Sequence, residues 1–149
     1  MSSIATSWSV SRESRPVNRG RFALVGLATV IAATLANVLV YFVGGAFVAY
    51  DPQFLPLTDV SGAIAFTLPA AIVAVLLYAA LLRFASNPAR TFAIISAVVF
   101  VVTLIPDFTY TPTVPGATGG QTAILVLMHV VAAGVIVGML MALARPRSR

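Results

Sequence analysis

The chain has 149 residues, 60% of them hydrophobic and 9% charged, whereas a water-soluble domain is roughly 45–50% apolar and about 25% charged; a wetted surface, and with it a soluble catalytic domain, is excluded. Cysteine is absent, which removes disulfides, thiolate nucleophiles and iron–sulfur ligation. The formal charge of +5 comes from nine arginines and no lysine, placed in short segments beside apolar blocks, so membrane orientation accounts for it and nucleic-acid binding does not.

Residues 1–20 are rich in Ser and Arg, hold Trp8 and Glu13, and show no sustained apolar period; they read as a disordered cytoplasmic tail. The first apolar block, about 22–47, is longer than the roughly 7–15 residues of a signal-peptide core and reads as a retained helix. The second, 60–82, contains Pro69, which takes one donor from the helix and leaves the Ala65 carbonyl without its partner, predicting a local kink. Asn87 as N-cap and Pro88 at the first helical position start a third helix, 88–105, which Pro106 is expected to stop. That is about 27 Å at about 1.5 Å per residue, close to the hydrocarbon thickness. The fourth runs over 122–144, ended by Pro146, with 145–149 as a second tail. The expected fold is therefore all-α: an integral membrane four-helix bundle over residues 21–144, multi-pass in the plasma membrane.

Arg12, Arg15, Arg19 and Arg21 precede the first helix, Arg83 and Arg90 lie between the second and third, and Arg145, Arg147 and Arg149 follow the fourth. The other side carries Asp51, Asp59 and Asp107 and no basic residue. The positive-inside rule then puts both termini in the cytoplasm. The two outer loops are rich in proline and aromatics, as an interfacial belt requires. The longer, about 106–121, also reads as a pocket lid hinged at Gly119 and Gly120.

Helical spacing gathers small and polar residues onto one face of each span: Gly26, Ala33, Asn37 and Gly44; Ala63, Thr67, Ala74 and Tyr78; Ser96 and Thr103; His129, Ala133 and Ile136. Because lipid supplies no hydrophobic drive for helix association, such stripes argue for one compact bundle. Gly134 and Gly138 form a Gly-x-x-x-Gly step lying about 140° and 180° around the helix from His129. If His129 faces inward, that glycine face is free for a second copy or another membrane protein; alternatively it packs on a neighbouring helix of the same chain.

His129 is the only histidine and an ionisable group inside the membrane, a default pointer to function. With Asn37, Thr67, Thr103 and Asp107 it forms a candidate polar cluster in the outer half, and a contact between His129 and Asp107 is feasible. The plainer reading is a neutral His129 bonded to Asn37 or Thr67 and joining helices. One His and three scattered Asp give no metal site, no cofactor is implied, and no nucleophile elbow accompanies a Ser–His–Asp set.

At Pro106, Asp107 and Phe108, and again across Leu127, Met128, His129, Val130, Val131 and Ala132, the sequence resembles a family of small four-helix bacterial membrane proteins known only as a domain of unknown function, over roughly residues 20–144. The resemblance implies the four-span fold and a shared Pro-Asp and His pair, and no activity. The leading expectation is a non-enzymatic protein of the bilayer acting by helix association, as a homo-oligomer or an accessory subunit. The alternative is small-molecule, ion or proton binding or transport at the polar cluster; a membrane enzyme acting on lipid or quinone is a third reading.

Overall fold

The computed structural model describes residues 19–143; the expected tails, apart from Arg19 and Gly20, and the stop at Pro146 lie outside them. Four helices, α1 (Arg19–Gly45), α2 (Val60–Phe84), α3 (Pro88–Thr109) and α4 (Gly119–Leu143), are joined by loops holding short 3-10 turns at Leu55–Leu57 and Thr111–Thr113. All four are long and apolar enough to cross a membrane, the third span continuing through its 3-10 turn to Thr113. The protein is an all-α, multi-pass membrane bundle. α1 lies between α2 and α4, while α3 leans on α4 and, more thinly, on α2.

Helix starts follow local chemistry. The Asp59 side chain accepts from the Ser61 amide at the head of α2, and Asn87 Oδ1 accepts from the Arg90 amide at 3.3 Å, with Pro88 in the first turn of α3. Each cap satisfies an amide that the helix itself cannot. Arg83 in the last turn of α2 complements the negative end of the helix dipole and lies 5.6 Å from the Phe84 ring centre.

Several boundaries differ from expectation. α3 does not stop at residue 105 but runs through Pro106 to Thr109. Proline removes one donor, here the partner of the Val102 carbonyl, yet the rest of the ladder is retained because membrane helices have little water to satisfy freed backbone groups. α2 likewise continues through Pro69. α4 begins at Gly119 rather than 122 because Thr118 caps it: Thr118 Oγ1 accepts from the Gln121 amide at 3.3 Å and donates to Gln121 Oε1 at 2.9 Å. Gly119 and Gly120 are thus helical and not the hinges of a loop. α1 ends two residues early, in a tight turn where the Phe47 amide bonds Gly44 O at 3.0 Å.

The core has two apolar clusters, an outer one at the end of the bundle that carries the α1–α2 and α3–α4 loops and an inner one at the end that carries the α2–α3 loop. The inner one gathers Ala33, Ala71, Tyr78, Phe92, Ile136 and Leu140; Tyr78 stacks between Phe92, with ring centres 4.9 Å apart, and Phe22, at 6.4 Å. The outer one gathers Ala63, Ile124 and Met128 with Phe54 and Leu57, which reach down from the first outer loop. Val114 and Ala117 of the second outer loop pack on the same cluster. The expected lid is therefore a short, packed cap, pinned where Gly116 (φ +76°) passes Asp51 so closely that a Cβ would fall 2.6 Å from its carboxylate. Between the clusters runs a polar belt: Thr67 lies between Ala63 and Ala71, Asn37 between Ala33 and Val40, and His129 between Met128 and Ala132.

Candidate functional site

The belt consists of two separate contacts. Asn37 Nδ2 donates to Thr67 Oγ1 at 2.8 Å, tying α1 to α2, and both residues are buried. Asn37 Oδ1 keeps no partner. The stripe positions that bring them together, Gly26, Ala33, Asn37 and Gly44 on α1 with Ala63, Thr67 and Tyr78 on α2, are all buried.

The second contact ties α3 to α4. His129 Nδ1 lies 3.1 Å from Asp107 Oδ2 and 2.9 Å from the Leu125 carbonyl oxygen. A carbonyl only accepts, so the proton sits on Nδ1 and is directed at Leu125. The carboxylate stands beside that N–H without a well-aligned hydrogen bond, and Oδ2 is buried with no other partner. His129 therefore does not bond Asn37 or Thr67, as the plainer reading expected; those two have taken each other. Asymmetry marks the pair: the Asp107 side chain is 8% exposed, that of His129 34%. Nδ1 makes both contacts, which leaves Nε2 without a hydrogen-bond partner among the described residues.

Thr103 does not join the cluster. It is exposed on α3, its hydroxyl turned back to the Phe100 carbonyl at 2.9 Å, and a threonine satisfied by its own helix needs no partner across the bundle. Asn37, Thr67, Asp107 and His129 form two neighbouring pairs in the outer half rather than one pocket. Sequence reasoning missed two polar residues nearby. Gln121 is fully buried with Nε2 unpartnered, and the Thr118-x-x-Gln121 capping pattern was its visible signal. Tyr50 donates its hydroxyl to the Tyr41 carbonyl at 2.8 Å, folding the first outer loop onto α1. Burial raises the Tyr50 phenol above its ordinary range, with a further push from neighbouring Tyr41. Among the described residues no three of His, Asp and Glu converge as metal ligands would.

On α4, Gly134 and Gly138 face outward, and a Cβ added at either would meet nothing within 4 Å. Among the described residues, no other helix packs on the step.

The family model described as a family of unknown function (DUF6069) matches residues 17–146. The chain belongs to that family. Its match covers all four helices and both polar pairs of this chain. Among curated proteins and among solved structures, none matches the chain.

Chemically, the Asn37–Thr67 contact is neutral and buried, a clasp between helices. The Asp107–His129 pair is ionisable and open on one side. A hydrogen-bonded Nδ1–H with a lone pair at Nε2 is the arrangement in which an imidazole accepts a hydrogen bond or a proton.

Proposed function

We propose that this is a non-enzymatic membrane protein that acts by helix association, as a homo-oligomer or an accessory subunit, through the outward face of α4. The observation that carries the reading is a mismatch between exposure and residue size. α1 turns Leu24, Leu27, Ile31, Leu35, Leu39 and Phe42 outward, and α3 turns Ile94, Val98, Val101, Val102 and Ile105 outward. α4 turns out Ala123, Gly134, Gly138 and Ala142, with Leu127 and Val130 its only large exposed side chains among those described. Small residues belong where two backbones approach closely, since association in lipid rests on packing.

The orientation reading completes this proposal. Arg21, Arg83 and Arg90 lie at one end of the bundle and Asp51 and Asp59 at the other, which by the positive-inside rule favours cytoplasmic termini in the plasma membrane. A native mass spectrum of protein released from its own membrane tests the association reading. A defined oligomer or a specific partner complex, lost when Gly134 and Gly138 are both changed to Leu, is the expected result; monomers alone in the unaltered protein would overturn it.

The Asp107–His129 contact favours a second reading, binding of a small molecule, ion or proton in the outer half of the bundle. An ionisable pair in the membrane costs several kcal/mol unless it is compensated, and a neutral pair such as Asn37–Thr67 would join helices without the cost of burying a charge.

A further inference from the structure

The second reading can be carried further at the His129 ring. Above it, Leu125 and Met128 are packed into the outer cluster under Phe54, Leu57, Val114 and Ala117; below it, Ala132 and Val135 are packed against the inner cluster. One side is taken by Asp107 and by the Leu125 carbonyl. The 34% of the side chain that remains open must therefore open sideways, toward the acyl chains of the outer half, and not up into water. Val126 and Ala133, one turn above and below on α4, and exposed Val130 make that flank apolar. Asp107 lies six residues before the end of the third span and His129 ten after the start of α4, about 9 and 15 Å along their axes.

The ring's orientation then selects the chemistry of what enters. Nδ1–H is fixed inward by a carbonyl, so the lone pair is on Nε2 and faces the opening; an acceptor there needs a donor. A second acceptor lies on the same outer half of α3, the Val102 carbonyl deprived of its partner by Pro106. A charged ligand is disfavoured at this depth. We propose that His129 Nε2 is the anchoring atom of a laterally opened site that takes the hydroxyl of a neutral, membrane-dissolved amphiphile, with Asp107 as a positioning residue whose carboxylate, 3.1 Å from Nδ1, reinforces the tautomer that the Leu125 carbonyl sets. The hydroxyl donates to Nε2 while the apolar body lies along α3 and α4 in the lipid. Phenolic and glycerolipid hydroxyls share this chemistry.

This proposal rests on the reading of the outer-half pair as a binding site, and the single histidine of the chain lets both be examined together. The full untagged chain, with ¹⁵N-labelled histidine, is placed in phosphatidylcholine nanodiscs and its two ring-nitrogen resonances are recorded alone, with 4-octylphenol, with dioleoylglycerol and with octylbenzene. The expected spectrum has a protonated Nδ1 and a bare Nε2, and the Nε2 signal moves upfield with one or both hydroxyl compounds and stays fixed with octylbenzene. Movement with octylphenol alone assigns a phenolic ligand; movement with dioleoylglycerol assigns a lipid hydroxyl. Asp107→Asn keeps the shape of the site and should weaken the Nε2 response by mixing the tautomers. A proton on Nε2 in the apo protein, or an equal response to octylbenzene, overturns the proposal. A ring blind to all three probes that still takes up a proton as pH falls overturns the hydroxyl site and leaves a proton site; a ring indifferent to probes and pH removes both.

Discussion

α1 and α4 are helices of similar length and similar supply of small residues, yet they use them in opposite directions. On α1, Gly26, Thr29, Ala33, Asn37 and Gly44 are buried and bulky aliphatic and aromatic side chains face outward. On α4 the glycines of the Gly-x-x-x-Gly step face outward and His129 is left half-open beside Asp107. Every close approach that α1 is built for is met within the chain. α4 presents a flat outward face and an imidazole nitrogen that nothing among the described residues uses. In a bilayer, where close packing rather than hydrophobic drive holds helices together, the completed helix is the scaffold and the incomplete one is where function is to be sought.

The same substitution on the two helices should sharpen this comparison most. A Cβ at Gly44 would fall 2.6 Å from Tyr50 Oη and 2.8 Å from Ile124 Cδ1, so Gly44→Leu must displace both and should lower stability by about 3 kcal/mol. Gly134→Leu meets nothing and should instead stabilise the dilute monomer by about 0.5–1 kcal/mol through helix propensity. Reversible unfolding in mixed micelles reads both. Equal losses would mean that the α4 face is already occupied within the chain.

A second measurement compares the two polar contacts. Thr67→Val keeps the shape of the side chain but leaves the Asn37 amide buried without its acceptor, at a cost of about 1–3 kcal/mol. His129→Ala removes a side chain that is a third exposed and should cost about 1 kcal/mol or less in the same assay. A larger loss at His129 than at Thr67 would make the outer pair a structural clasp like its neighbour.

Much of this contrast was legible in the sequence, because hydropathy and helical spacing report which residues share a face. The α1 stripe and the Asn87–Pro88 start of α3 could be read directly, as could the separation of the glycine step from His129. The partners across helices could not. Helical spacing placed Asn37, Thr67, Thr103, Asp107 and His129 in one outer half, and only the packed bundle pairs Asn37 with Thr67 and His129 with Asp107. Pro106 read as a stop because proline breaks helices in water; in lipid the remaining backbone bonds outweigh its missing one. The early start of α4 was hidden by the low helix propensity of Gly119 and Gly120, which the Thr118 cap overrides. Thr103 shares a face with Ser96 by spacing, but spacing alone does not say whether another helix stands opposite.

The smallest predicted effect lies at the outer end of α1, where its completeness depends on a loop. Tyr50 returns over the helix end, donates to the Tyr41 carbonyl at 2.8 Å and covers Gly44. Burial raises its phenol above the ordinary tyrosine range, so the folded state resists ionisation more than the unfolded chain does. Below the unfolded value neither state ionises and the contribution is intact. As pH rises past it, the unfolded chain releases its proton first, and stability falls until the folded value is reached. Thermal unfolding should therefore show an alkaline loss that begins in the ordinary tyrosine range. Tyr50→Phe should remove the part of this loss due to Tyr50 and cost about 0.5–1.5 kcal/mol at neutral pH for the missing hydrogen bond. An alkaline profile unchanged by Tyr50→Phe would place the titrating group elsewhere and leave the end of α1 closed by packing against Ile124 alone.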